Sequence, residues 1–199
     1  MNTVDIGVSI ANNLRNVFGI ILALSLGEAY KQVIRDTNNT PQEKSIHWDS
    51  LPSMFSFLLL LVPFFQGMAR FLDYAYSVKV RPSNYGPFLL LDILAFTIEA
   101  SLFFVMSRTL RLEQWGRFYS AVWFLLITDT AWGVFTITVR HIDTVKPWVW
   151  SNVVCFVALA LIFLALRTRP KIGATAACGA MLLRTIADYA TSWNFYFPK

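Results

Sequence analysis

Asp92 and Glu99 lie two helical turns apart in the apolar run 87–107, and Asp129 interrupts a second apolar run, 116–139. A charge at the centre of a bilayer costs about 3 kcal/mol on insertion scales, so acidic side chains there face a bundle interior or a water-filled cavity. None of the three has a basic residue within one turn. Each must therefore carry a proton, meet an arginine from another helix, or hold a cation that comes and goes. Proton or cation transfer is the chemistry such residues perform, and Asp92, Glu99 and Asp129 are the candidate binding or coupling carboxylates.

Other polar residues share helical faces. Gln66, Arg70, Asp73 and Ser77 form one stripe at i, i+4, i+7 and i+11, and Asp129, Gly133, Thr136 and Arg140 form another. Arg70 with Asp73, and Arg184 with Asp188, have the spacing of in-helix ion pairs, whereas Glu28 with Lys31 and Gln32 reads as a solvated helix end. Arg70, Asp73, Asn152, Arg184 and Asp188 are thus the expected supporting network of a vestibule. It would open on the side of the termini and narrow toward Glu99, Asp129 and Arg184 at the midplane. Aromatic residues crowd that side, mostly as an interfacial belt. Tyr74, Trp132 and Tyr189 are candidates for lining the vestibule, where cation–π contacts would suit an organic cation. The same charges could instead form a salt-bridge network that fixes helix register.

Several chemistries are excluded. The two histidines, His47 and His141, fall in loops, which leaves no haem pair, metal cluster or zinc-protease helix, and no metal or other cofactor is expected. No lysine sits mid-span and no glycine-rich phosphate loop occurs. Cys155 and Cys178 lie inside apolar runs without a CxxC pattern and read as buried free thiols.

The elements that must position these residues are membrane-spanning helices. With 199 residues, 56% hydrophobic and only 15% charged, and a mean hydropathy of +0.51, the chain lacks the polar surface a soluble enzyme, a nucleic-acid binder or a disordered tail requires. The expected fold is an all-α polytopic integral membrane bundle, a single transmembrane domain over 1–199 with a polar interior and the lipid bilayer as its partner. Six spans are predicted, at 11–30, 52–76, 87–107, 116–139, 147–166 and 172–194. The first has the shortest apolar core and reads as tilted or partly interfacial. Pro87 and Pro147 fall in first helical turns, where a missing N–H does no harm. Thr40-Pro41-Gln42-Glu43 matches a capping box and predicts a short interfacial helix over 41–49 that covers His47 and Trp48.

The net charge of +5 comes mostly from loops, where it signals topology rather than nucleic-acid binding. Six Lys and Arg fall on the side of the termini and nine on the other. The positive-inside rule then puts both termini outside, in a plasma membrane. The N-terminal stretch carries Asp5, Asn12, Asn13 and Arg15 and makes a poor cleavable signal, so it is expected to stay in the mature chain.

The small-residue run Gly173 to Ala180 predicts a close packing face, within the bundle or toward a second copy in a homo-oligomer. A short echo, Asp73-Tyr74-Ala75-Tyr76-Ser77 and Asp188-Tyr189-Ala190-Thr191-Ser192, hints at repeated helical hairpins. Three functions fit: a channel or carrier for protons or small cations, an intramembrane enzyme using Asp/Glu acid–base chemistry on a lipid-like substrate, and a non-catalytic subunit of a larger membrane assembly.

Overall fold

The computed structural model describes residues 3–36, 44–76 and 86–197. Six long helices dominate it: α1 (Thr3–Val33), α2 (Leu51–Tyr76), α3 (Pro87–Ser107), α4 (Trp115–Arg140), α5 (Lys146–Leu166) and α6 (Pro170–Thr191). A one-turn α7 (Trp193–Tyr196) follows, and a two-stranded hairpin, β1 (Ile34–Asp36) and β2 (Lys44–Ile46), joins α1 to α2. Five segments are long and apolar enough to cross a membrane: Val8–Val33, Trp48–Tyr76, Pro87–Ser107, Leu112–Arg140 and Asp143–Leu166. The chain is an all-α integral membrane protein. The sixth expected span coincides with α6, equally long but less apolar, because Gly, Ala, Thr, Arg184 and Asp188 replace the leucines of its neighbours. The first helix extends beyond the expected 11–30 at both ends, to 31 residues.

The short helix expected over 41–49 is not what forms. Residues 41–43 lie outside the described residues, Lys44–Ile46 pairs antiparallel with Ile34–Asp36, and Trp48–Ser50 makes one 3₁₀ turn. Pairing across the loop satisfies the backbone in place of the capping-box helix, and the His47 N–H closes the hairpin by donating to Val33 O at 2.9 Å.

The long helices close into a ring in the order α1, α3, α4, α5, α6, α2, each packed on two neighbours. Two features let the ring tighten. Gly133 brings α4 against α5: a Cβ there would stand 2.5 Å from Val149 Cγ2. Gly173 brings α6 against Trp115, whose ring would lie 2.9 Å from an added Cβ. Gly173, Ala174 and Ala177, the buried part of the small-residue face, are thus consumed inside the bundle, and Ala174 O accepts a 3.1 Å bond from the Tyr119 hydroxyl.

Pro63 lies inside α2 and has no N–H to give to Leu59 O, four residues earlier. Thr185 of α6 supplies the missing donor, its hydroxyl reaching Leu59 O at 2.9 Å. Helix α4 ends where His141 takes a left-handed conformation, φ 55°, and its N–H bonds back to Thr136 O.

Two apolar clusters fill the ring. One includes Phe57, Leu60, Phe103, Met106, Leu125, Leu126, Cys155 and Met181 and lies toward the hairpin. The other includes Phe18, Met68, Phe71, Phe96, Trp132, Trp148 and Tyr196 and lies toward the termini. Glu99, Asp129 and Asn152 each sit between a residue of one cluster and a residue of the other on the same helix: Phe96 and Phe103, Leu126 and Trp132, Trp148 and Cys155. Arg184 sits one turn beyond Met181. These four define a polar layer between two apolar plugs.

Candidate functional site

The intramembrane charges sort into two groups. Asp92 is fully buried and saturated: it accepts from the Tyr76 hydroxyl at 2.6 Å, from Trp132 Nε1 at 2.8 Å, and from Arg140 Nη1 at 3.0 and 2.9 Å on its two oxygens. The Arg140 side chain is 1% exposed. Its guanidinium is boxed by rings, 5.1 Å from the Phe71 centroid, 5.3 Å from Phe88 and 5.9 Å from Tyr76. Arg140 falls one residue past the expected span 116–139 and is not among the candidate site residues, yet α4 includes it as its last residue. The signal that could have found it is its place on the stripe with Asp129, Gly133 and Thr136, which turns the last residue of α4 inward.

The second group runs through the polar layer. Asn152 Nδ2 donates to Asp129 Oδ2 at 2.5 Å, and Asn152 Oδ1 accepts from Arg184 Nε at 3.1 Å and Nη2 at 2.7 Å. The amide of Asn152 can face a carboxylate with its NH₂ and a guanidinium with its carbonyl oxygen. Arg184 Nη1 stands 3.9 Å from Asp188 Oδ2, the in-helix pair the spacing indicated. Tyr196 of α7 folds back to donate to that same oxygen at 2.8 Å, and its own carbonyl accepts from Arg70 Nε at 3.1 Å. Tyr196, on the side where an interfacial aromatic belt is expected, is instead buried at 1% exposure.

Around this group lies a cavity of about 30 Å³, walled by Asp129, Trp132, Trp148, Arg184, Asp188 and Tyr196 with apolar residues of α2, α3 and α4. At about 10–15 Å³ per site it has room for roughly two waters. Asp188 Oδ1 and Trp148 Nε1 are buried without hydrogen-bond partners among the described residues. The wide vestibule expected on the terminal side is replaced by this small space, because Trp148 and Tyr196 pack over it, 5.9 Å between ring centroids.

Glu99 stands apart. It is 0% exposed, and neither carboxylate oxygen has a hydrogen-bond partner among the described residues.

Asp73 pairs with Arg15 of α1 rather than with Arg70, because Arg70 is drawn to Tyr196 O. Tyr74 is 44% exposed and does not line the cavity, whereas Trp132 does. Tyr189 donates to Gln66 Oε1 at 2.8 Å and packs on Tyr196 beside the cavity. Ser77 lies outside the described residues. Glu28 takes Gln32 Nε2 at 3.4 Å and Lys31 at 3.9 Å, a helix end as read. The two halves of the short echo differ in environment: the Asp73 side chain is 52% exposed and that of Asp188 1%. Among the described residues no three His, Cys, Asp or Glu side chains come together as a metal site requires.

Fold and site together define a helical membrane protein with a largely buried, acid-bearing polar layer. Comparison of the chain with protein-family models, with curated proteins and with solved structures finds no match in any of the three.

Proposed function

We propose that the protein carries protons across the membrane, with Glu99 and Asp129 as the coupling carboxylates. The observation that supports this reading is the charge balance of the acids on the spanning helices. Asp73 has Arg15, Asp92 has Arg140, and Asp188 has Arg184. Asp129 reaches Arg184 only through Asn152. Glu99 reaches no cation among the described residues. A buried carboxylate without a partner is too costly to persist as a bare charge, so Glu99 must take up a proton or a cation whenever the layer is closed. A cavity with room for about two waters favours the proton over an organic cation. Water in that cavity is the natural bridge between Asp129 and Asp188.

The two apolar plugs give this reading its directionality. With both closed, the polar layer is cut off from water on either side; opening one at a time would expose the acids alternately. In proteoliposomes with an imposed pH gradient and an internal pH dye, Glu99→Gln should abolish proton flux and Asp129→Asn reduce it. Asp92→Asn, whose target is saturated by protein donors, should retain flux in whatever fraction of the protein folds. Wild-type flux in both Glu99→Gln and Asp129→Asn would sink the proposal.

The positive-inside count supports both termini lying outside. Under that reading a thiol introduced as Lys171→Cys reacts with an impermeant reagent only after the cytoplasmic face is opened, and Lys146→Cys reacts in intact cells.

A further inference from the structure

The outer wall of the bundle between α5 and α6 holds a groove of about 640 Å³. Its lining falls on two helical stripes: Lys146, Ser151, Cys155 and Ala158 of α5, and Ala180, Arg184, Ala187 and Thr191 of α6 are among them. Small side chains make the hollow. Trp150, Val154 and Leu183, 66–69% exposed, stand as its rims. We infer that this groove is a site for one anionic phospholipid, its phosphate on Lys146 and one acyl chain laid down the groove over Arg184.

Position and charge select that occupant. The groove starts at the first residue of α5, at a membrane interface, and runs toward the middle of a segment apolar enough to span the bilayer. A hollow there forfeits dispersion contacts on one side unless a chain fills it, and the bilayer supplies acyl chains. One exposed cation, Lys146, stands at the mouth of the groove and no acidic residue lines it; Arg184, also in the lining, is already paired with Asp188. Lys146 also meets Asp143 at 3.0 Å, but both side chains are more than half exposed and such a pair is weak enough for a phosphate to compete. A second copy fits worse. A two-fold contact brings the same face against itself, hollow against hollow, and fills neither.

The site has a consequence for the polar layer. Arg184 lines both the groove and the inner cavity, so it is the thinnest part of the wall between them. An acyl chain lying over it would shield the Asn152–Arg184–Asp188 group from lateral access.

The test is lipid retention. The protein is reconstituted in vesicles of equimolar phosphatidylcholine and phosphatidylglycerol, extracted in mild detergent, and the lipids remaining on it are counted by native mass spectrometry. One phosphatidylglycerol should be retained in preference to phosphatidylcholine. Lys146→Gln, an exposed change that leaves the fold intact, should cut that preference roughly five-fold, the effect of one basic residue near a membrane surface. Ala158→Leu with Ala180→Leu, which fills the groove, should lower total retention. Equal retention of the two lipids by the wild type, a preference unchanged by Lys146→Gln, or a dimer in place of the lipid-bound monomer would each overturn the assignment.

Discussion

Arg140 Nη1 bonds both oxygens of Asp92, at 3.0 and 2.9 Å, although the two residues lie 48 positions apart on different helices. The pair ties α3 to the last turn of α4 and is completed by Tyr76 of α2 and Trp132 of α4. Breaking one side of a buried pair strands the other charge, at a cost of about 3–5 kcal/mol, whereas replacing both by apolar residues is close to neutral. Arg140→Gln should therefore lower the thermal midpoint in detergent sharply. The double variant Arg140→Met with Asp92→Leu should recover most of that loss. Equal destabilisation in the single and double variants would show that the pair is not what holds this corner.

Glu99 behaves in the opposite way. No donor among the described residues is lost when its carboxyl becomes an amide, so Glu99→Gln should unfold at or above the wild-type midpoint while losing proton flux. The same thermal assay decides it. A drop comparable to that of Arg140→Gln would mean that Glu99 has a structural partner and would remove the main support for its role as carrier.

Thr185 replaces the hydrogen bond that Pro63 denies to Leu59. Thr185→Val should cost about 1 kcal/mol, the usual net value of one such bond. With Pro63→Ala the helix recovers its own N–H, and the same valine substitution should then cost less. A double-mutant cycle in unfolding free energy reads the coupling directly, and additivity of the two changes would contradict the assignment.

Gly133 admits Val149 at a distance a side chain cannot share. Gly133→Ala should destabilise by about 1–3 kcal/mol through overpacking. Val149→Ala should rescue it, because the offending atom is Val149 Cγ2. Failure of the rescue in a thermal melt would place the constraint on the backbone of α4 instead.

His141→Gly should raise stability by about 0.5–1 kcal/mol, since glycine enters the left-handed region without the steric cost a histidine bears. The gain is readable as an upward shift in midpoint; a decrease would reveal a side-chain role for His141.

Much of the fold was legible because bilayer thickness sets span length and apolar runs report it. Five of the expected spans coincide with segments long and apolar enough to cross, and Pro87 and Pro147 mark helix starts as read. The short surface helix failed because a capping box describes only local preference, and strand pairing between Ile34–Asp36 and Lys44–Ile46 overrides it. At the site, helical spacing found the Arg184–Asp188 pair but paired Arg70 with Asp73, because it cannot see that Arg15 and Tyr196 compete for those two groups.

What the sequence by itself determined is which residues are out of place in a bilayer: the cost of an intramembrane charge is a property of residue type and depth, both readable from an apolar run. Which of those charges remains uncompensated is a property of the tertiary structure alone. Asp92, Glu99 and Asp129 look alike along the chain, yet one is met by Arg140, one is bridged by Asn152 to Arg184, and one is met by nothing among the described residues. Partners 23 to 48 positions away decide that difference, and only the closing of the helical ring brings them within hydrogen-bond reach.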